Sequence, residues 1–169
     1  MLKIEFQAVK MLLANVNVRA EVHGEDREPA GDLKFECDVD NGMLAKFDPA
    51  LKGLLYYFDE ARERDLVGQA QAKVPGFAPD LRMPKLELPI KWDEEMLGAK
   101  CRIRVLGAKS DVGLDPVKVN NWTISPREGG TCSITFRVQC HPDEKTFGKL
   151  ATLVQQEVEV TLEAAAEGN

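Results

Sequence analysis

The chain is poor in the residues that most often carry chemistry. Its 169 residues include two histidines, His23 and His141, and four cysteines, Cys37, Cys101, Cys132 and Cys140, with no two cysteines in a C-x-x-C spacing. Zinc sites need thiolates or imidazoles that converge on one ion, so this scarcity argues against a metal centre. Cys140-His141 comes nearest, yet neighbours in a strand point to opposite faces. There is no Gly-x-Ser-x-Gly nucleophile elbow and no Gly-rich phosphate loop. Gly129-Gly130 separates two strand-like runs, where a hairpin turn needs positive φ. No cofactor is expected. The acid pairs Glu94-Glu95 and Asp143-Glu144 read as solvated charge or helix first turns. Catalysis has no visible machinery.

Long apolar runs are missing as well. No window of 18 uninterrupted apolar residues occurs, which argues against a membrane span. Met1 to Phe6 alternates apolar and charged residues and reads as a strand instead of a leader. A soluble, cytoplasmic protein is expected, with one domain over residues 1–169, since this length buries one real core and not two.

What the sequence does contain is period-two alternation. Leu2, Ile4, Phe6 and Ala8 form one such run, and Val16, Val18, Ala20 and Val22 form another. A turn over Gly24 to Gly31 leads to a partner strand carrying Leu33, Phe35, Cys37 and Val39. Asp48-Pro49 then opens a helix with Leu51, Leu54, Leu55 and Phe58 on one stripe. The same order recurs at Val117 to Cys140, where a hairpin is followed by Pro142 and the helical stripe Phe147, Leu150, Ala151 and Val154. Between these units, residues 66–84 hold prolines and glycines without a period and read as a connection. Leu86 to Trp92 reads as an edge strand because Pro89 cannot donate to a ladder. Further strands are expected at Lys100 to Leu106 and Val158 to Leu162. A β-bulge at Asn120-Asn121 restores the parity that slips before Trp122.

The fold class expected is therefore α+β, with mostly antiparallel sheet of about seven to nine strands and two short helices. The halves are 1–65 and 85–164, with a frayed tail at 165–169. All four cysteines fall on the apolar faces of their strands and read as buried thiols.

The net charge of −6 is uneven. Residues 1–65 carry 14 acids and 9 bases, residues 66–140 carry 8 and 11, and residues 141–169 carry 6 and 2. If Cys101, Ile103 and Val105 point inward, Lys100, Arg102 and Arg104 point outward. Lys118 and Arg137 join them from neighbouring strands, and Trp122 is the expected stacking surface. This set predicts a nucleic-acid face for single- or double-stranded DNA. A competing reading pairs these cations with acids on adjacent strands. A second candidate surface, formed by Glu25, Asp26, Glu28, Glu36, Asp38 and Asp40, suits a basic protein partner. The edge-like strand at Leu86 to Trp92 also permits a homo-oligomer.

The run Val138-Gln-Cys-His-Pro-Asp-Glu-Lys-x-Phe-Gly-Lys-Leu-Ala, with Leu12-Leu-Ala-Asn-Val-Asn-Val-Arg, resembles a family of uncharacterised proteins encoded by tailed phages and prophages of Gram-negative bacteria. The resemblance covers most of the chain and brings no catalytic or ligand residues with it. It implies a non-enzymatic protein acting in the bacterial host cell. Two roles follow from it: a recombination or replication accessory, or an anti-CRISPR-like inhibitor of host defence or nucleic-acid machinery.

Overall fold

The computed structural model describes residues 1–87, 89–108 and 111–167. Nine strands alternate with three short helices: β1 (Phe6–His23), β2 (Asp26–Asp40), α1 (Leu51–Leu55), β3 (Tyr56–Tyr57), α2 (Leu66–Gln71), β4 (Asp80–Leu81), β5 (Ile90–Trp92), β6 (Met96–Val105), β7 (Asp111–Pro126), β8 (Thr131–Cys140), α3 (Glu144–Thr152) and β9 (Glu157–Glu163). A 3-10 helix, Asn41–Lys46, precedes α1. Six strands close on themselves in the order β7-β6-β9-β1-β2-β8, because β7 pairs with β8 as well as with β6. All pairings are antiparallel. The antiparallel α+β class is observed, but as a closed barrel instead of hairpins layered under helices. Closure removes the sheet edges that an open version would leave unpaired.

Alternation fills the barrel as the sequence requires. Leu33 and Phe35 on β2, Ile134, Phe136 and Val138 on β8, and Val158, Val160 and Leu162 on β9 are all buried. Phe136 stacks against Phe6 at 5.7 Å and Phe35 at 5.5 Å between ring centroids. Fully burying one such side chain is worth about 1.5–3 kcal/mol. Two helical segments pack onto this core at opposite ends of β8. After β2, Leu44, Phe47 and Leu51 are buried, and Phe47 meets Trp122 edge-on at 5.5 Å. After β8, α3 buries Leu150 and holds Phe147 over Gly31, where an added Cβ would lie 2.7 Å from the ring.

Several boundaries differ from the sequence expectation, each for a local reason. Pro142 lies just before α3 instead of opening it, and Asp143 caps the helix, its carboxylate accepting from the Thr146 N–H at 2.7 Å. The helix after Pro49 lasts little more than a turn, so Leu54 stays exposed and Phe58 packs on Phe77 instead. Leu2 and Ile4 are buried but precede the first strand, which runs unbroken from Phe6 through the second run to His23, with Ala8 at φ 51° and register shifts absorbing the parity changes. The turn expected over Gly24 to Gly31 shrinks to Gly24-Glu25, since His23 pairs with Asp26 and the ladder runs on. Residues 66–84 hold α2 and β4, and β4 pairs with β3. The strand expected at Leu86 to Trp92 is observed only over Ile90–Trp92, with Leu88 outside the described residues. Gly168 and Asn169 of the tail also lie outside them. The bulge at Asn120-Asn121 is present, with Asn121 at φ 54°. Among the described residues no helix is long and apolar enough to cross a membrane.

Candidate functional site

An open cleft of about 1020 Å³ lies on the outer face of the barrel, lined by residues of β1, β2, β7, β8 and the segment Lys91–Glu95. Strand register builds its floor. Asn15 lies opposite Lys34, Lys34 opposite Arg137, and Arg137 opposite Asn120, forming one row across four strands. The next row is Asn17, Asp32, Gln139 and Lys118. At about 4.8 Å between strands, each row spans roughly 15 Å.

Both floor rows depend on bulges. On β1 the register shifts between Leu13 and Asn15, so Asn15 faces out although it shares the parity of buried Leu13. On β7 the shift between Asn120 and Thr123 keeps both of those side chains on the outer face while Trp122 turns in. Asn tolerates the left-handed backbone that Asn121 adopts. Bulges commonly re-aim side chains in this way next to binding sites.

A hydrogen-bonded chain runs along the floor. Arg137 Nε donates to Asn120 Oδ1 at 3.0 Å, and Asn120 Nδ2 donates to Gln139 Oε1 at 3.3 Å. Gln139 Nε2 then donates to Asp32 Oδ1 at 3.2 Å, and Arg19 Nε donates to the same carboxylate. Beyond Arg19, Glu21 accepts from His141 at 2.8 Å and from Arg19, and these bonds, His141's first, hold its carboxyl down at about 2.

The cleft's carboxylates are largely committed internally. Asp32 is held by Arg19, Glu94 accepts from Trp92 Nε1 at 3.0 Å, and Glu95 pairs with Lys118 at 3.1 Å. Among the described residues, Lys91 and Arg137 make no ion pair, and only the Nε of Arg137 is hydrogen-bonded. The lining holds four acids, Asp32, Asp93, Glu94 and Glu95, and three bases, Lys34, Lys91 and Arg137, so its charge is close to balanced on a protein of net charge −6.

The six residues expected to contact nucleic acid do not form one patch. Lys100 pairs with Asp115 at 3.8 Å and Arg102 with Asp111 at 3.5 Å, while Arg104 lies opposite Asp111 and Glu159 in the ladders. Acids on adjacent strands thus offset the β6 cations, as cross-strand pairs do. Asp111, opposite Arg104, and Asn120, opposite Arg137, are nine positions apart on β7, or roughly 30 Å at strand rise. Trp122 is 1% exposed, packed on Phe136 and Phe47, so it offers no stacking face. The aromatic at the cleft is instead Trp92, half-buried and packed edge-on against Phe47.

The acidic set is also divided. Glu25, Asp26 and Glu28 are exposed at the tip of the β1–β2 hairpin. Glu36 lies 3.8 Å from Lys34, Asp38 is bonded by Arg127 and Ser133, and Asp40 caps the following turn through the Gly42 N–H. From Asp26 to Asp40 is about 45 Å of strand.

Sequence reasoning missed Asn15, Asn17, Asp32, Lys34, Lys91 and Trp92. Alternation alone would place Asp32 and Lys34 outward, and the slip of apolar parity from Leu13 to Val16 is the signal that points to the β1 bulge turning Asn15 outward.

All four cysteines are free and buried. Burial pushes the thiols of Cys37, Cys101 and Cys140 up to about 12 and raises Cys132 as well. A thiol reagent is expected to leave the native protein unlabelled over the time in which it modifies four thiols in denaturant. Rapid native labelling of any of them would contradict this packing. No group of three or more potential metal-ligating side chains converges among the described residues. Comparison with protein-family models, with curated proteins and with solved structures found no match to this chain.

Proposed function

We propose that the protein is a non-enzymatic nucleic-acid-binding protein that takes a single strand in the outer cleft, acting in the DNA transactions of a tailed phage as a recombination or replication accessory. The observation that carries the reading is Arg137 and Lys91, without carboxylate partners among the described residues, beside a cleft lined by Asn15, Asn17, Asn120 and Asn121. Cations meet phosphates, amides meet sugar and base edges, and the Trp92 edge supplies apolar contact. The phage-type sequence resemblance supports the same class of role.

The site differs from the one expected along β6, and that difference is the test. Binding of a labelled oligonucleotide is measured at low and physiological salt. The double variant Lys91→Glu with Arg137→Glu is compared with Arg102→Glu with Arg104→Glu. The cleft variant is expected to lose most of the affinity and to flatten the salt slope by about 1 for each lost phosphate contact. The β6 variant is expected to retain both. The reverse pattern would return the site to β6. Absence of binding at low salt would overturn the nucleic-acid reading. The exposed acids Glu25, Asp26 and Glu28 favour the second reading, a protein-binding inhibitor of host machinery, in that event.

A further inference from the structure

The β1–β2 hairpin outruns the barrel. β1 pairs with β9 only through Leu12, and β2 pairs with β8 only from Gly31 onward. Beyond those points the hairpin is a two-stranded arm with two edges, and among the described residues neither has a strand partner. The edges are not alike. That of β2, Asp26 to Ala30, carries Pro29 and three charged residues, devices that prevent pairing. The β1 edge has no proline, and Val18 and Val22 are 61% and 64% exposed.

We propose that the β1 edge pairs antiparallel with the same edge of a second copy, joining two barrels through their arms about a two-fold axis at Ala20. The alternation along Asn17 to His23 is self-complementary in that register. Val18 falls opposite Val22 of the second copy and Ala20 opposite Ala20, which gives an apolar stripe on one face. On the other face Arg19 falls opposite Glu21 and Asn17 opposite His23. Moving the axis to Arg19 or Glu21 would set like charges against each other, which destabilises a pair. A slip of one residue would oppose valines to charges. Because the contact uses the same patch on both copies, it closes at two subunits. A second copy is thus the occupant that the charge pattern matches residue for residue.

The test is sedimentation over a range of protein concentration together with cysteine cross-linking. Paired antiparallel positions lie about 4.5–5.5 Å apart at Cα, within the span of a disulfide. Ala20→Cys is therefore expected to form a covalent dimer under mild oxidation. Val18→Cys and Val22→Cys should each stay monomeric alone and cross-link when mixed. All three sites are exposed, and an unchanged denaturation midpoint confirms folding. Concentration-dependent dimerisation with this pattern supports the proposal. A monomer at all concentrations would overturn it, as would equal cross-linking of all three variants by collision. Neither result depends on nucleic acid, so the arm and the cleft are tested separately.

Discussion

Replacing Phe136 by alanine is expected to lower the unfolding free energy by about 3–5 kcal/mol, the range for truncating a buried aromatic. The residue is 1% exposed and touches three other rings, Phe6, Phe35 and Trp122, the last at 5.0 Å between centroids. Those rings come from β1, β2 and β7, so the cavity would open where three strands of the closure meet. Neighbouring strands in a closed barrel are held by the ladder on both sides, which limits how far they can collapse into the gap. Denaturant titration gives the measurement, with a shifted midpoint and an unchanged slope. A loss below about 1 kcal/mol would show that the barrel repacks freely. Arg137 is the next residue along β8, and its outward direction depends on Phe136 pointing in. Oligonucleotide affinity in Phe136→Ala is therefore expected to fall as well.

Asp80→Ala is the second substitution with a large expected cost, about 3–5 kcal/mol, because it strands a charge from which water is largely excluded. Asp80 is 3% exposed. Its oxygens accept from the Asp59 N–H at 2.8 Å, Arg62 at 2.7 Å and Arg64 at 2.6 Å. The Arg64 side chain is only 13% exposed and its Nε has no partner, so removal of the carboxylate leaves it uncompensated. Arg62 is half exposed and also reaches Glu128, so its share is small. Burial pushes the Asp80 carboxyl up, but the Asp59 N–H and the two arginines outweigh it and the net direction is down. A depressed folded pKa stabilises the fold above the unfolded value of about 3.9 and loses that contribution as pH falls further. Acidification below about pH 4 should loosen residues 59–80 from the β7–β8 turn, where the Gly129 N–H donates to Pro79 O. Limited proteolysis in that segment, faster in acid and in Asp80→Ala at neutral pH, would check this. Asp80→Ala with unchanged midpoint and protease resistance would remove the network from the account.

Neither Asp80 nor its arginines announced themselves in the sequence. Asp80 follows Pro79 in a stretch without period, and only the pairing of β3 with β4 brings it to Arg62 and Arg64. By contrast, the inward positions of Cys37, Cys101, Cys132 and Cys140 were legible because each shares parity with isoleucine, valine or phenylalanine two residues away. The bulge at Asn120 was legible for the same reason, since Val119 and Trp122 cannot both face inward without an extra residue. The bulge beside Asn15 leaves the same mark, because apolar parity slips between Leu13 and Val16, but there the slip falls between two alternating runs that read as separate strands. Gly24-Glu25 was hidden by a richer-looking turn that ends at Gly31.

What the sequence by itself determined is which side of the barrel strands meets the core, except along the arm where Val18 and Val22 are exposed, where α3 starts within a residue or two, and that the sheet is antiparallel. These follow from side-chain direction and turn chemistry, which act over a few residues. Closure of the barrel, the cleft rows and the neutralisation of Lys100, Arg102 and Lys118 were decided by tertiary structure alone. Backbone ladders are chemically alike for every strand, so hydrogen bonding does not choose partners. The choice is made by how whole faces pack, and with it the neighbours of every outward charge.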